Sequence, residues 1–175
     1  KRSAKAVVNG LRLKKVTKLD SKSGSMTKAS LSKDCLFEML NPEQFPLAKQ
    51  FYKASRYPHA IGREDKVYVV RQVSKSNQLI AAVRLVKMNN YIILRSMVVS
   101  IELRGLGIGS LLLNQLEQYL SSNCWCFPFE WLESFYANAG FVCISAENAP
   151  IEIRSKYLQY LSQGKKLILM HYPQD

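Results

Sequence analysis

Three strand-like runs, separated by only a few polar residues, lie in the middle of the chain and constrain its fold more than any other feature. The runs are residues 67–73, 79–87 and 91–99, and the turns between them are residues 74–78 and 88–90. Connections this short join only antiparallel neighbours, because a parallel crossover needs a dozen or more residues. The centre of the chain is therefore predicted to be an antiparallel meander.

Helix-like and strand-like segments alternate on both sides of this meander. A strand at 35–40 and a helix at 42–55 precede it. After it we expect helices at 107–121, 129–139 and 150–162, alternating with strands at 124–127, 141–145 and 165–172. Gly140 and Gly164 follow two of these helices as C-terminal stops. This order predicts an α/β (α+β) fold, with a mixed, mostly antiparallel central sheet and helices on both faces.

Length and composition restrict the class of protein. The 175 residues suffice for one domain, and a hydrophobic fraction of 47% is enough for a core, which excludes a disordered chain. No run approaches the roughly 18 apolar residues that a membrane span needs, so we expect no membrane partner. The cysteines are too few for a disulfide framework and predict reduced thiols in a cytoplasmic protein. They are Cys35, Cys124, Cys126 and Cys143.

The formal net charge of +12 is concentrated near the N-terminus. Residues 1–33 hold ten Lys or Arg and one acid, whereas residues 34–175 hold fifteen basic and twelve acidic residues. We therefore expect a basic flexible leader over 1–33 and one folded domain over 34–175. Residues 1–25, which end just before Met26, have three interpretations: a segment foreign to the natural protein, a solvated tail or an organellar transit peptide. Nucleic acid is expected as a partner only if this leader is native.

A glycine-rich loop joins the last strand of the meander to a leucine-rich helix. Residues 104–109 read Arg-Gly-Leu-Gly-Ile-Gly. Glycines let a ligand approach the backbone, and the helix that follows presents its positive end, so the loop is suited to a phosphate or pyrophosphate. A P-loop would need a lysine after Gly109, and the dinucleotide fingerprint needs another glycine spacing within a βαβ unit.

This loop and a second segment resemble the GNAT superfamily of N-acetyltransferases. Residues 104–109 fit the family's Arg/Gln-x-x-Gly-x-Gly/Ala pattern, and Phe135-Tyr136 with Gly140-Phe141 is similar to its Phe/Leu-Tyr-x-x-x-Gly-Phe segment. The resemblance covers about residues 35–175, and residues 94–99 resemble the N-acetylglutamate-synthase-like branch. It implies an acetyl-CoA-dependent N-acetyltransferase in which a primary amine attacks directly. The alternative is a non-catalytic CoA-binding or nucleic-acid-associated module of the same fold.

The resemblance also implies roles for individual residues. Tyr136 would protonate the leaving thiolate, and the Val99 N–H would polarise the thioester carbonyl. Acetyl-CoA is the implied co-substrate, and no metal is expected. The residues expected to bind acetyl-CoA are Met97, Val98, Val99, Arg104, Gly105, Leu106, Gly107, Ile108, Gly109, Ser110 and Tyr136.

Charged residues at unusual positions supply the remaining candidates. Arg84 and Arg95 each interrupt an apolar strand, and a buried arginine requires an acidic partner. That partner is either an internal acid, Glu38 or Glu130, or the carboxylate of an amino-acid-like acceptor. Many family members carry a Glu in the strand before the loop, but residues 91–99 contain no carboxylate.

The general base is therefore open. Glu130 is our candidate, with Glu133 beside it. The alternatives are that both are solvated acids at a helix start, and that a water chain or an amine arriving neutral serves instead. We expect a monomer or a homodimer.

Overall fold

The computed structural model describes residues 28–173, which form one mixed sheet of seven strands with helices on both faces. The strands are β1 Cys35–Leu40, β2 Lys66–Gln72, β3 Gln78–Met88, β4 Tyr91–Val99, β5 Cys124–Cys126, β6 Val142–Cys143 and β7 Met170–His171. The helices are α1 Lys28–Lys33, α2 Phe45–Ala54, α3 Ile108–Leu116, α4 Glu133–Ala137 and α5 Ile151–Ser162.

The strand order is β1-β2-β3-β4-β5-β7-β6. Only β4 and β5 pair in parallel, through the crossover that contains α3, and every other neighbouring pair is antiparallel. The short turns of the meander enforce the antiparallel pairing of β2, β3 and β4. The predicted fold class, a mostly antiparallel mixed sheet, is confirmed.

The two faces of the sheet carry different helices. One hydrophobic cluster joins α1, α3 and α4 to side chains such as Tyr68, Val83 and Leu94. On the opposite face, α2 packs on β2 and β3, and α5 packs on the side chains of Ile93 and Trp125. Because α2 and α5 cover different halves of that second face, β4 runs between them.

The folded part begins earlier than we predicted. Lys28–Lys33 form α1, and Leu31 is completely buried in the cluster under α3, so these residues pack on the domain that was expected to start at 34. The rest of the predicted leader, residues 1–27, lies outside the described residues.

Several predicted elements are shorter in the structure. The helix expected at 129–139 is a 3-10 turn at Glu130–Leu132 followed by α4, and the last two strands shrink to two residues each. Gly140 and Gly164 adopt positive φ angles of 87° and 76°, as their predicted stopping role requires.

The cysteine thiols are free, as predicted, and Cys124 and Cys126 are buried core residues. Among residues 28–173, no helix is both long and apolar enough to cross a bilayer.

Candidate active site

A gap opens in the middle of the sheet between β4 and β5. The two strands pair only at Ile92–Cys124, Ile93–Trp125 and Leu94–Cys126. Beyond this point β4 continues to Val99, whereas the chain after Cys126 stays with the other half of the sheet: the Ile168 N–H donates to the Pro128 carbonyl at 2.9 Å. Residues 95–99 therefore form an edge inside the sheet.

The register of β3 and β4 decides which backbone groups face this gap. Ser100 donates to the Ile80 carbonyl at 2.8 Å, and Val98 lies opposite Ala82. Because antiparallel backbone groups alternate in direction, those of Val98 face β3 and those of Val99 face the gap. The Val99 backbone thus faces the gap, as its predicted role requires. The backbone of Val98 pairs with β3 instead, and the Val98 side chain is buried beneath α2.

A β-bulge precedes Val99 on β4. The pairing shifts between Ala82 and Arg84, so Ser96 and Met97 together oppose Val83, and Ser96 has a φ of 55°. The hydroxyl of the fully buried Tyr52 donates to the Ser96 carbonyl at 2.9 Å. This hydrogen bond from α2 satisfies a carbonyl that the bulge removes from the ladder, and it fixes the course of β4 into the gap.

The glycine-rich loop presents unpaired N–H groups at the open end of the gap. Gly105 and Gly107 have φ angles of 79° and 87°, which favour glycine, and Gly107 is the N-cap of α3. Within residues 28–173, no backbone carbonyl accepts from the N–H groups of residues 107–110. These donors and the positive end of α3 are suited to a pyrophosphate.

The side chains of the loop serve packing more than binding. Ile108 is buried and Leu106 packs against the core, so only their backbones are available to a ligand. A Cβ on Gly109 would lie 3.1 Å from the ring of Phe135, so this glycine allows α3 to approach α4. Arg104 and Ser110 are exposed, and Arg104 Nε donates to the Val99 carbonyl at 3.1 Å.

Tyr136 belongs to the buried cluster that contains Leu94 and Cys126, the residues at which β4 and β5 last pair. Its ring is 6% exposed and packs edge-on against Phe135 and Phe141, at centroid distances of 5.1 and 5.8 Å. Burial, then the nearby Cys126 and Tyr57, raise the pKa of the Tyr136 hydroxyl well above its ordinary value of 10. The hydroxyl therefore stays protonated at physiological pH and can donate a proton where β5 leaves β4.

Arg84 has an internal partner, but not one of those that we predicted. Its Nη1 contacts Asp65 Oδ2 at 2.8 Å and donates to the Ala60 carbonyl, and its Nη2 donates to Ser96 Oγ at 3.0 Å. Glu38 instead pairs with Arg71. The prediction of Glu38 or Glu130 as the partner is wrong, because the loop after α2 folds back over β3 and brings Asp65 to Arg84. At 4% exposure, Arg84 holds this loop.

Arg95 lies directly opposite Arg84 and differs from it. It is partly buried, and both ion pairs found among residues 28–173 belong to other arginines. Its charge, together with that of Arg84, opposes the rise in the pKa of Tyr57 that burial causes. Arg95 is thus a charged group without a carboxylate partner, on the sheet face between α2 and α5.

Side chains from both halves of this face lie within electrostatic range of Arg95 or of one another. Tyr57 and His59 follow α2, and their rings contact edge-on at 4.3 Å. Tyr160, near the end of α5, influences the pKa of Tyr57, and the Lys165 ammonium lies 4.6 Å from the Tyr160 ring centroid. We call Tyr57, His59, Arg95, Tyr160 and Lys165 the acceptor mouth. Arg95 follows Leu94, the last residue of β4 that pairs with β5, so the mouth adjoins the gap at the start of the unpaired edge of β4.

The predicted general base, Glu130, is exposed, and its charge raises the pKa of Tyr157 on α5. Glu133 is also exposed and accepts a hydrogen bond from Cys143 Sγ at 3.4 Å. Neither carboxylate contacts Arg95 or Tyr136.

Sequence reasoning named no individual residue of the loop between α2 and β2 as part of the site. It contributes Tyr57, His59 and Asp65, and only its polar composition separated it from its neighbours. The available signal was an acid within reach of an interrupted apolar strand, since buried arginines need acidic partners.

Comparison with known proteins agrees with this geometry. Residues 31–141 match the acetyltransferase (GNAT) family, whereas no curated protein sequence matches the chain significantly. Three solved structures share the fold. Rv2747 from Mycobacterium tuberculosis, in complex with CoA, is 15% identical, covers 80% of this chain and 99% of its own, and has a TM-score of 0.62.

The other two structures are similarly distant. N-acetylglutamate synthase from Neisseria gonorrhoeae, complexed with coenzyme A and N-acetyl-glutamate, is 14% identical over 80% of this chain and 35% of its own, with a TM-score of 0.57. An acetyltransferase of the GNAT family from Staphylococcus aureus is 14% identical, covers 78% of this chain and 97% of its own, and has a TM-score of 0.52. At such identities the likeness shows the fold alone. With the family match over most of the described residues, it follows that this chain belongs to the GNAT family of acetyl-CoA-dependent acetyltransferases.

Proposed function

We propose that this protein transfers the acetyl group of acetyl-CoA to the primary amine of a small acceptor that carries a carboxylate, as an amino acid does. The observation that carries the proposal is Arg95, a partly buried guanidinium with no carboxylate partner among residues 28–173. A desolvated guanidinium is stabilised by an acidic partner, and its planar fork matches a carboxylate with two hydrogen bonds. An acceptor carboxylate would complete this pair.

The arrangement of the chain separates two binding regions. The N–H groups of residues 107–110 would hold the pyrophosphate, and Val99 would pair with the pantetheine arm along the edge of β4. When bound there, acetyl-CoA supplies an acetyl group activated as a thioester. The acceptor mouth approaches the same gap from the face between α2 and α5. An amine and a thioester would thus meet near Tyr136.

Three groups of the chain act on the reaction in this proposal. Arg95 orients the acceptor through its carboxylate and so places the amine. The Val99 N–H donates to the oxygen on which negative charge develops. Tyr136 gives its phenolic proton to the leaving sulfur. General acid catalysis requires a group that is protonated at working pH, and the raised pKa of Tyr136 meets this requirement.

One structural neighbour adds support for this acceptor class. The N-acetylglutamate synthase from Neisseria gonorrhoeae was solved with coenzyme A and an N-acetylated amino acid. A fold of this type therefore accommodates both molecules together.

The proposal is tested with matched acceptors. Each α-amino acid is compared with the amine that remains when its carboxylate is removed, and kcat/KM is measured for both. We expect the amino acid to be preferred. Arg95→Lys keeps the charge but loses the fork, so we expect it to reduce the preference about 10- to 100-fold, as a charge-assisted hydrogen-bond pair implies, with the KM for acetyl-CoA unchanged.

Arg71→Lys is the matched control, because Arg71 on β2 pairs with Glu38 on β1, towards one edge of the sheet and away from β4. It should leave the preference intact. The wild type could instead use amino acids and simple amines at equal rates, with an Arg95→Lys variant that is less stable. Arg95 would then have only a structural role, and the proposed acceptor would need no carboxylate.

A further inference from the structure

The acceptor amine must lose a proton, and none of the five residues of the acceptor mouth is an acid. Asp65 is held by Arg84 at 2.8 Å, and Glu133 accepts from Cys143. Glu130 is exposed, and its charge adds to the effect of burial in raising the pKa of Tyr157. The strand that carries Arg95 contains no acid. The group that takes the proton has to be sought among the other side chains of the acceptor mouth.

His59 is held in this mouth from both sides along the chain. The preceding Tyr57 is fixed to the end of α2, where its N–H donates to the Tyr52 carbonyl at 2.9 Å. The following Ala60 is fixed to β3, because its carbonyl accepts from Arg84 Nη1. The imidazole packs edge-on against the Tyr57 ring at 4.3 Å. Its position is therefore set by the fold.

The ring nitrogens of His59 are available. Neither has a hydrogen-bond partner within residues 28–173. The other histidine of the chain differs, since His171 Nε2 is within hydrogen-bond distance of the Ser122 carbonyl and its ring packs on Trp125. A partly buried imidazole with unused nitrogens at the entrance to a reaction site can exchange a proton with a bound ligand.

The charges around His59 favour this use. Burial first, and then the positive charges of Arg84 on β3, Arg95 on β4 and Lys165 after α5, lower the pKa of His59 below its ordinary value of 6.5. Tyr57, whose ring contacts the imidazole edge-on, is the other titratable group beside it. His59 is consequently neutral at physiological pH. The same cations disfavour an ammonium in the mouth, so they bias a bound amine towards its neutral, nucleophilic form.

We propose that His59 is the catalytic base, accepting at a ring nitrogen the proton that the acceptor amine loses as it attacks. This inference depends on the proposed function. The amine lone pair forms the new nitrogen–carbon bond while the carbon–sulfur bond breaks. The electron pair of the carbon–sulfur bond stays on sulfur, which takes the proton of the Tyr136 hydroxyl. His59 takes the amine proton, and exchange of both residues with solvent then restores the resting state.

The first test is the pH dependence of kcat/KM for the acceptor. In the wild type, protonation of the free amine already makes the logarithm of kcat/KM fall as the pH decreases. Below the pKa of His59 this slope should become steeper by one further unit, because His59 is then protonated as well. His59→Gln should lower kcat about 10²- to 10⁴-fold and lose that extra slope, with the KM for acetyl-CoA retained. His171→Gln, the control, should keep both rate and slope. Added imidazole should partly rescue His59→Ala.

A second readout does not depend on turnover. The His59 ring proton resonances, assigned by their absence in His59→Gln, give the pKa of His59 directly, and this should match the kinetic break and shift when the acceptor binds.

An active His59→Gln with an unchanged acidic slope, or a titration that does not match the kinetic break, overturns the role of His59 alone. A wild type that transfers acetyl to no amine overturns the proposed function and this inference with it.

Discussion

The Tyr136 hydroxyl is the group on whose position the chemistry depends most at the scale of single residues. Phe135 and Phe141 fix its ring, and burial keeps the hydroxyl protonated by raising its pKa. No hydrogen bond to another described residue occupies the hydroxyl. It combines a fixed position, a retained proton and a free donor beside Cys126, where β4 and β5 separate.

We predict that Tyr136→Phe lowers kcat about 10²- to 10⁴-fold, because the substitution keeps the ring and removes the proton donor. Acetyl-CoA affinity and the unfolding temperature should change little. Steady-state kinetics and a calorimetric titration with CoA measure the two quantities. Tyr68→Phe is the control, since the Tyr68 hydroxyl is buried without a hydrogen-bond partner among the described residues. Equal kcat in both variants would return Tyr136 to a packing role.

The junction of β4, the glycine-rich loop and α3 determines the site at the scale of secondary-structure elements. β4 ends at Val99 inside the sheet, and α3 begins nine residues later, at Ile108. The left-handed Gly105 and Gly107 make this sharp reversal possible, so the first N–H groups of α3 point away from their own helix. One short segment thereby provides a strand edge and an anion site next to each other.

CoA should raise the unfolding temperature of the wild type, since a ligand held at 100 times its Kd adds about 2.7 kcal/mol to the free energy of unfolding. We predict that Gly107→Glu abolishes this shift by placing a carboxylate where the pyrophosphate would bind. Gly164→Glu introduces the same residue at a similar positive φ, in open space after α5. It should keep the shift. A Gly107→Glu variant that is still stabilised by CoA would move the cofactor site elsewhere.

Local pattern was enough to predict the elements on which the fold rests. β1 and β4 have the predicted bounds, because alternation and short polar turns define them without reference to distant residues. The strands β6 and β7 are much shorter than expected, because edge pairing, and not composition, decides where a ladder ends. The helix α1 was missed because its single buried apolar residue, Leu31, is set in a basic, serine-rich stretch.

The candidate site was only partly predictable for a related reason. The loop at 104–109 is continuous in sequence, so its chemistry can be recognised directly. The bulge at Ser96 places a non-glycine residue at positive φ, and no pattern in the neighbouring sequence predicts this. The Arg84–Asp65 pair and the position of His59 arise because the eleven-residue loop between α2 and β2 folds over β3, which is a tertiary property.

Charge and burial divide the chain differently at the scale of the whole molecule. The basic excess ends near residue 33, whereas Leu31 is already completely buried. The folded unit thus includes the last part of the basic segment. Residues 34–175 hold fifteen basic and twelve acidic residues, so charge alone does not assign this part of the chain a nucleic-acid partner.

We predict that two truncations separate these properties. Deletion of residues 1–25 should leave the unfolding temperature and acetyl transfer unchanged, and any salt-dependent binding of nucleic acid should be lost with it. Deletion of residues 1–33 should destabilise the protein, because burial of a leucine side chain contributes about 2–5 kcal/mol. Thermal unfolding of the two variants checks this. Equal stability would show that α1 does not belong to the folded unit.

The most direct measurement is thiol release from acetyl-CoA in the presence of a panel of primary amines, with the N-acetylated products quantified by mass spectrometry. We predict that thiol and N-acetyl product form in equal amounts, depend on the amine, and form faster with α-amino acids than with their decarboxylated counterparts. A protein that binds CoA but yields no N-acetyl product from any amine would contradict the proposed N-acetyltransferase and identify a CoA-binding module of the same fold.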